Sequence, residues 1–272
     1  MDSTTSRPSS DSAENLSDAV SRVMGEADEW RRIMSMDGDK TLSVYLDLKS
    51  PHAYIAVRPT LEVARDYRVK IDFRPFTLNY TDLGVSTSVE ADKRRRPASE
   101  AADRKARMYY AAARQYTALQ RIPLRSPCRL LDSELAHRAF LFAKRQALEV
   151  PFFMSVCLRG WGSGWRDFEL ESQDQLRDSL AALGADLDGF DAFVEADGEG
   201  QRELVKSMED AAAIGFAGAP HYAFFDEAAG RDLGLFGREH LALIRGKFAA
   251  QGLARHADVR SDFSHAWCGP KA

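Results

Sequence analysis

A chain of 272 residues has material for one large core or two interleaved ones, and its 44% hydrophobic and 29% charged residues are the mix of an ordinary globular protein. A formal charge of −4 argues against a nucleic-acid partner, and no apolar run is long enough to span a bilayer. Three cysteines, Cys128, Cys157 and Cys268, stand far apart with neither CxxC nor metal-ligand spacing, which points to a reducing, cytoplasmic setting.

Residues 1–15 are a Ser/Thr/Asp/Pro mixture that cannot bury apolar surface, so disorder is expected there, and no apolar core of a secretory signal is present. Ala19, Val23, Met24, Trp30 and Met34 are spaced as an amphipathic helix that Asp37-Gly38-Asp39 ends. This segment, 1–38, reads as an extension appended to the main fold. Residues 41–48 are a nearly unbroken apolar run of strand length. The spacing of Tyr54, Val57, Leu61 and Ala64 predicts a helix from 51 to about 67, kinked at Pro59. Residues 69–75 alternate and read as a second strand, so strand, helix and strand form a βαβ unit with parallel strands.

Beyond Asn79 the pattern changes. Residues 80–98 read as a polar loop whose Lys93-Arg94-Arg95-Arg96 run is a solvated one, because acidic neighbours dilute it and no aromatics interleave it. Helices are predicted at 99–120, about 132–148, 151–160, 172–182, 188–196 and 201–214. His137 and Asp132 are expected at the surface. The glycines of Gly160-Trp161-Gly162-Ser163-Gly164 follow a helix rather than a strand, so they are no dinucleotide fingerprint. Residues 220–225 and 232–236 read as strands joined by a turn at 227–230, a hairpin rather than another βαβ. A helix over 238–250 buries Leu241, Ile244 and Phe248, and a polar tail occupies 252–272.

The junction at Ser50-Pro51 joins the carboxyl end of the first strand to a helix start. Backbone N–H groups and the positive end of the helix dipole converge there, which favours an anionic ligand. Ser50 is the side chain at that spot. As a serine before Pro51 it is also an ordinary N-cap, and one hydroxyl can serve both purposes.

A βαβ unit, a helical insertion and a ββα unit resemble the DsbA-type branch of the thioredoxin fold. The implied class is α/β, a thioredoxin-like fold with a large inserted all-helical domain: 39–79 and 215–251 form the thioredoxin-like part and 80–214 the insertion. Ser50-Pro51-His52-Ala53 stands in the place of the branch's Cys-x-x-Cys, Pro59 where its first helix kinks, and Gly218-Ala219-Pro220 where it carries a cis-proline. Within the branch the chain is similar to the 2-hydroxychromene-2-carboxylate isomerases and kappa-class glutathione transferases. Their Ser-Pro-x-x-[Tyr/Trp] appears as Ser50 to Tyr54, their Arg-Pro as Arg74-Pro75, and their Arg-Lys helix as Arg104-Lys105-Ala106-Arg107-Met108-Tyr109. Trp161, Trp165 and Arg166-Asp167 match a Trp-rich stretch, and Phe236-Gly237-Arg238-Glu239-His240-Leu241 the signature that opens the last helix.

That resemblance implies a cytoplasmic glutathione-dependent isomerase acting on a small aromatic substrate, with no nucleic acid and no membrane, and with a homodimer left open. Its rivals are a kappa-type transferase or peroxidase, and a degenerate binding protein. Ser50 would hold the glutathione thiolate, and the Ala219-Pro220 backbone would pair with the cysteinyl part. Glu239 stands where the family has an Asp for the γ-glutamyl amine, and Lys105 near the glycyl carboxylate. Each has a plain alternative: a structural turn at Ala219, a dipole partner at Glu239, a solvated helix lysine at Lys105. His52 replaces a family aromatic, as an acid/base beside the thiolate or a solvent-facing imidazole. Trp161, Trp165 and Tyr109 would shape an aromatic pocket. The family's glutathione-contacting Asn is absent from 83–97. Serine and alanine at the two Cys-x-x-Cys positions leave dithiol exchange no protein sulfur at this junction.

Overall fold

The computed structural model describes residues 15–79, 87–89, 95–97 and 99–261, with backbone only at 87–89 and 95–97. The expected disorder of 1–15 and most of the 80–98 loop therefore lie outside the described residues, Asn15 excepted. Two helices come first, α1 (Leu16–Met24) and α2 (Ala27–Met34), where the spacing predicted one. Asn15 caps α1 by accepting the Asp18 N–H at 2.9 Å, and Gly25 ends it. These helices are no appendage. Val23, Trp30 and Ile33 belong to the main core, and Arg58 ties Glu26 to the Gln120 carbonyl inside it.

Strand β1 (Lys40–Leu46) leads through α3 (Pro51–Asp66) to β2 (Val69–Pro75), and β1 and β2 pair in parallel from Lys40↔Val69 to Leu46↔Pro75. Short strands β3 (Thr87–Val89) and β4 (Arg95–Pro97) pair antiparallel in the region expected to be loop. Six helices follow: α4 (Glu100–Gln120), α5 (Glu134–Lys144), α6 (Glu149–Ser163), α7 (Gln173–Ala182), α8 (Phe190–Val194) and α9 (Glu199–Ala213). Strands β5 (His221–Asp226) and β6 (Arg231–Phe236) form the hairpin, and a single 3₁₀ turn at Arg238–His240 leads into α10 (Leu241–Ala250). The main sheet runs β2-β1-β5-β6, with β5 antiparallel to both its neighbours. Among the described residues no helix is long and apolar enough to cross a membrane.

The stretch predicted as one helix over 132–148 ends at Lys144, because Ala147 takes a positive φ of 54° and the chain restarts as α6 at Glu149. Every residue of α5 from Ala136 to Ala143 is buried, His137 included. The surface placement expected for His137 is thus wrong: α5 lies inside the molecule, covered by α6, α7, α8 and α9. Trp161 and Trp165 are buried as well, edge to face with centroids 5.2 Å apart, so they build core rather than an open pocket. Gly160 is required by that packing: a Cβ there would lie 2.3 Å from the Trp165 ring.

Candidate active site

The site grows from the turn between β1 and α3. The Ser50 N–H donates to the Asp47 carbonyl at 2.9 Å and closes the turn, while Asp47 Oδ1 accepts the Lys49 N–H at 3.0 Å. Ser50 then caps α3, with φ −97° and ψ 115°, and its Oγ accepts the Ala53 N–H at 3.2 Å. Pro51 occupies the first helical position, where its missing N–H costs nothing. A helix of 16 residues thus aims its positive end at the Ser50 hydroxyl.

The opposite wall is the segment entering β5. The Ala219–Pro220 bond is cis, and the Ala219 carbonyl accepts a hydrogen bond from Ser50 Oγ at 3.1 Å. The Pro220 carbonyl in turn accepts the Gly237 N–H at 3.0 Å, which ties the start of the last helical segment to the same place. Gly237 has φ 109°, a conformation that favours glycine, and the Glu239 carboxylate folds back to within 2.4 Å of where a Cβ would sit. Arg238 is buried with its guanidinium carbon 3.7 Å from the Tyr116 ring centroid of α4.

His52 lies one residue into α3, half-buried, its ring edge-on to Tyr109 at 5.8 Å. It is not the solvent-facing imidazole that was the alternative. Burial holds its pKa below the ordinary value, with the Tyr109 carbonyl opposing and Arg238 adding to the depression. The ring is therefore a neutral base at neutral pH. Lys105 is exposed one helical turn before Tyr109, with Nζ 6.0 Å from that ring centroid.

The sequence-predicted residues fall into two groups. Ser50 meets Ala219 directly, ahead of Pro220, and Glu239 is exposed two residues after Gly237, whose N–H is bonded to the Pro220 carbonyl. His52 joins the Tyr109 face of α4, on which Lys105 also lies. Missed were Arg238, hidden inside the motif read for Glu239, and Asp47, whose signal was a carboxylate set between Leu46 and Leu48 in an apolar run. Two free cysteines are described, and Cys157, in α6, has its Sγ 3.9 Å from the Leu48 carbonyl behind the turn. Burial first, and the neighbouring Asp47 carboxylate second, push its pKa well up, so it is an inert thiol rather than a nucleophile. A cavity of about 460 Å³ lies elsewhere, lined by Lys40, Ser43, Tyr45 and Asp210, with neither a helix start nor Ser50 at its wall.

Comparison with known proteins identifies the family and the fold. A model of the DsbA-like thioredoxin domain matches residues 41–249. A 2-hydroxychromene-2-carboxylate isomerase from Sphingobium xenophagum is 26% identical over 181 residues, covering 66% of this chain and 87% of that protein. A solved 2-hydroxychromene-2-carboxylate isomerase superposes with a TM-score of 0.59 at 17% identity, over 78% of this chain and 96% of the other. The cytosolic disulfide reductase DsbM from Pseudomonas aeruginosa, solved with GSH, gives a TM-score of 0.51 at 16% identity, over 78% and 97% of the two chains.

Proposed function

Because this chain belongs to the DsbA-like thioredoxin domain family yet carries Ser50 and Ala53 where dithiol exchange needs two sulfurs, we propose that it is a cytoplasmic glutathione-dependent isomerase. The proposed reaction interconverts 2-hydroxychromene-2-carboxylate and trans-o-hydroxybenzylidenepyruvate or a close aromatic relative. The observation that carries this reading is the Ser50 hydroxyl, set at the positive end of α3 and 3.1 Å from the Ala219 carbonyl, while Cys157, the described thiol behind the turn, is buried and inert.

The residues present fit glutathione. Glutathione, when bound, supplies the thiolate that adds reversibly to the substrate and so frees the substrate's double bond to rotate. Ser50 keeps its cap to Ala53 while its O–H turns from the neutral Ala219 carbonyl to the anionic sulfur. A charge-assisted hydrogen bond is roughly twice as strong as a neutral one, so that exchange is downhill. It also frees the Ala219 carbonyl to pair with the peptide backbone. Glu239 offers a carboxylate to an ammonium, and Lys105 an ammonium to a carboxylate. His52, two residues along from Ser50 and held neutral by burial, is the base this reading assigns to the proton of the incoming thiol.

Calorimetric titration with glutathione, followed by the chromene absorbance assay on wild type and Ser50→Ala, tests the proposal. Binding, with isomerisation that Ser50→Ala slows, is the expected result. An unaltered rate in Ser50→Ala would remove Ser50 from the mechanism, and binding without isomerisation would favour a transferase.

A further inference from the structure

Behind the Ser50 turn lies a largely buried polar network that the proposed reaction does not use. Asp47 and Ser133 are inaccessible, and His137 and Lys49 nearly so. Asp47 Oδ1 accepts from the Lys49 N–H at 3.0 Å and from Ser133 Oγ at 2.7 Å, and Oδ2 accepts the Leu78 N–H at 2.8 Å. The Lys49 ammonium is 3.9 Å from Oδ2. His137 Nε2 lies 3.3 Å from the Leu48 N–H and 3.3 Å from Asp47 Oδ1, while Nδ1 is 2.8 Å from Thr77 Oγ1. Burial alone would raise the Asp47 pKa, but Lys49, His137 and the Lys49 N–H outweigh it and hold the carboxyl ionised.

Three segments distant in sequence are joined here: the turn from Asp47 to Ser50, the exit of β2 at Thr77 and Leu78, and the first turn of α5. Such a network is a poor way to gain stability, since apolar replacements of buried ion pairs are often as stable or more so. What it supplies is geometry. His137 holds the Leu48 peptide and Asp47 the Lys49 peptide of the turn that presents Ser50, and both side chains are anchored outside it, His137 on Thr77 and Asp47 on Ser133 and Leu78.

We propose that Asp47 and His137 are positioning residues for Ser50, which make α5 part of the machinery that sets the hydroxyl against Ala219. The role in turnover rests on the isomerase reading; the role in fixing the turn does not. His137→Gln keeps a polar group of similar reach but cannot face Leu48, Asp47 and Thr77 together. It should speed amide hydrogen exchange at Ser50 and Ala53 by about tenfold or more while Val44 in β1 is unchanged. In the same variant kcat should fall about tenfold or more, with the KM for glutathione within about twofold, because a small misplacement of a catalytic group is costly. Should His137→Gln fail to fold, Ser133→Ala removes one hydrogen bond from Asp47 and should show the same pattern at smaller amplitude. A folded variant whose Ser50 exchange and kcat both match wild type overturns the proposal. If wild type binds no glutathione but the exchange changes as described, the isomerase reading falls while the turn-fixing role stands.

Discussion

Under the proposed function Ser50 has two tasks for one oxygen, capping α3 and donating to the thiolate, and its removal should show both. Ser50→Ala loses the cap on α3, which costs about 1 kcal/mol of unfolding free energy in a denaturant titration. It also loses the donor to the thiolate, which should lower the isomerisation rate about 10- to 100-fold, the scale for removing one preorganised donor. A second residue-scale prediction concerns buried imidazoles. His221 follows the cis-proline, lies 5.3 Å from the Phe216 ring and 6.5 Å from Tyr45, and has no partner at either nitrogen among the described residues. Burial lowers its pKa, as it does that of His52. The unfolded chain then binds protons that the folded one refuses. The stability these rings contribute is complete above the unfolded value of about 6.5 and is lost as pH falls from there through the lower folded value. Thermal melting across that range should show the loss, and His221→Phe should reduce it. Asp47 and Asp72 have depressed pKa values, burial being outweighed by Lys49 and His137 at one and by Lys144 and Arg74 at the other. Their contribution persists to lower pH and disappears only below about 4.

The same sequence pattern was read well in some elements and badly in others. The two strands of the βαβ unit, the helix between them and the hairpin were legible because apolar runs of strand length end at Ser-Pro, Arg-Pro or a Gly turn. Helix α5 was misread for a physical reason: expecting a wet face assumes that one side of a helix meets water, and α5 has neighbours all round. His137, expected outside, is an anchor of the turn, whereas Asp132, just before the helix, is exposed as expected. The break at Ala147 was invisible, because a positive φ at alanine has no composition signal. The amino-terminal helices read as an extension in the sequence, yet Ala19, Val23, Trp30 and Ile33 are buried. Trp30→Ala should therefore destabilise the whole protein by about 3–5 kcal/mol in a single cooperative transition, measured by chemical denaturation. An independent early transition would contradict the shared core. Gly160→Ala, forced against Trp165, should cost about 1–3 kcal/mol by the same measurement.

In the whole molecule, β1, β5 and the last helical segment converge on one point, and the insertion reaches it from both sides through α4 and α5. The location of that point was legible from Ser50, Pro59 and Pro220. The residues flanking it were legible only in part, since Arg238 over Tyr116 and His137 under Leu48 are long-range contacts that no local spacing encodes. The proposed reaction depends on a sulfur brought by the ligand and steadied by the protein. The direct measurement is the ultraviolet titration of the thiolate band of glutathione bound to wild type and to Ser50→Ala. The account predicts that the bound thiol ionises about one pH unit or more below the free value of about 8.5, and that Ser50→Ala returns much of that shift. Glutathione that fails to bind at millimolar concentration, or a bound thiol that ionises as it does free in solution, would contradict it.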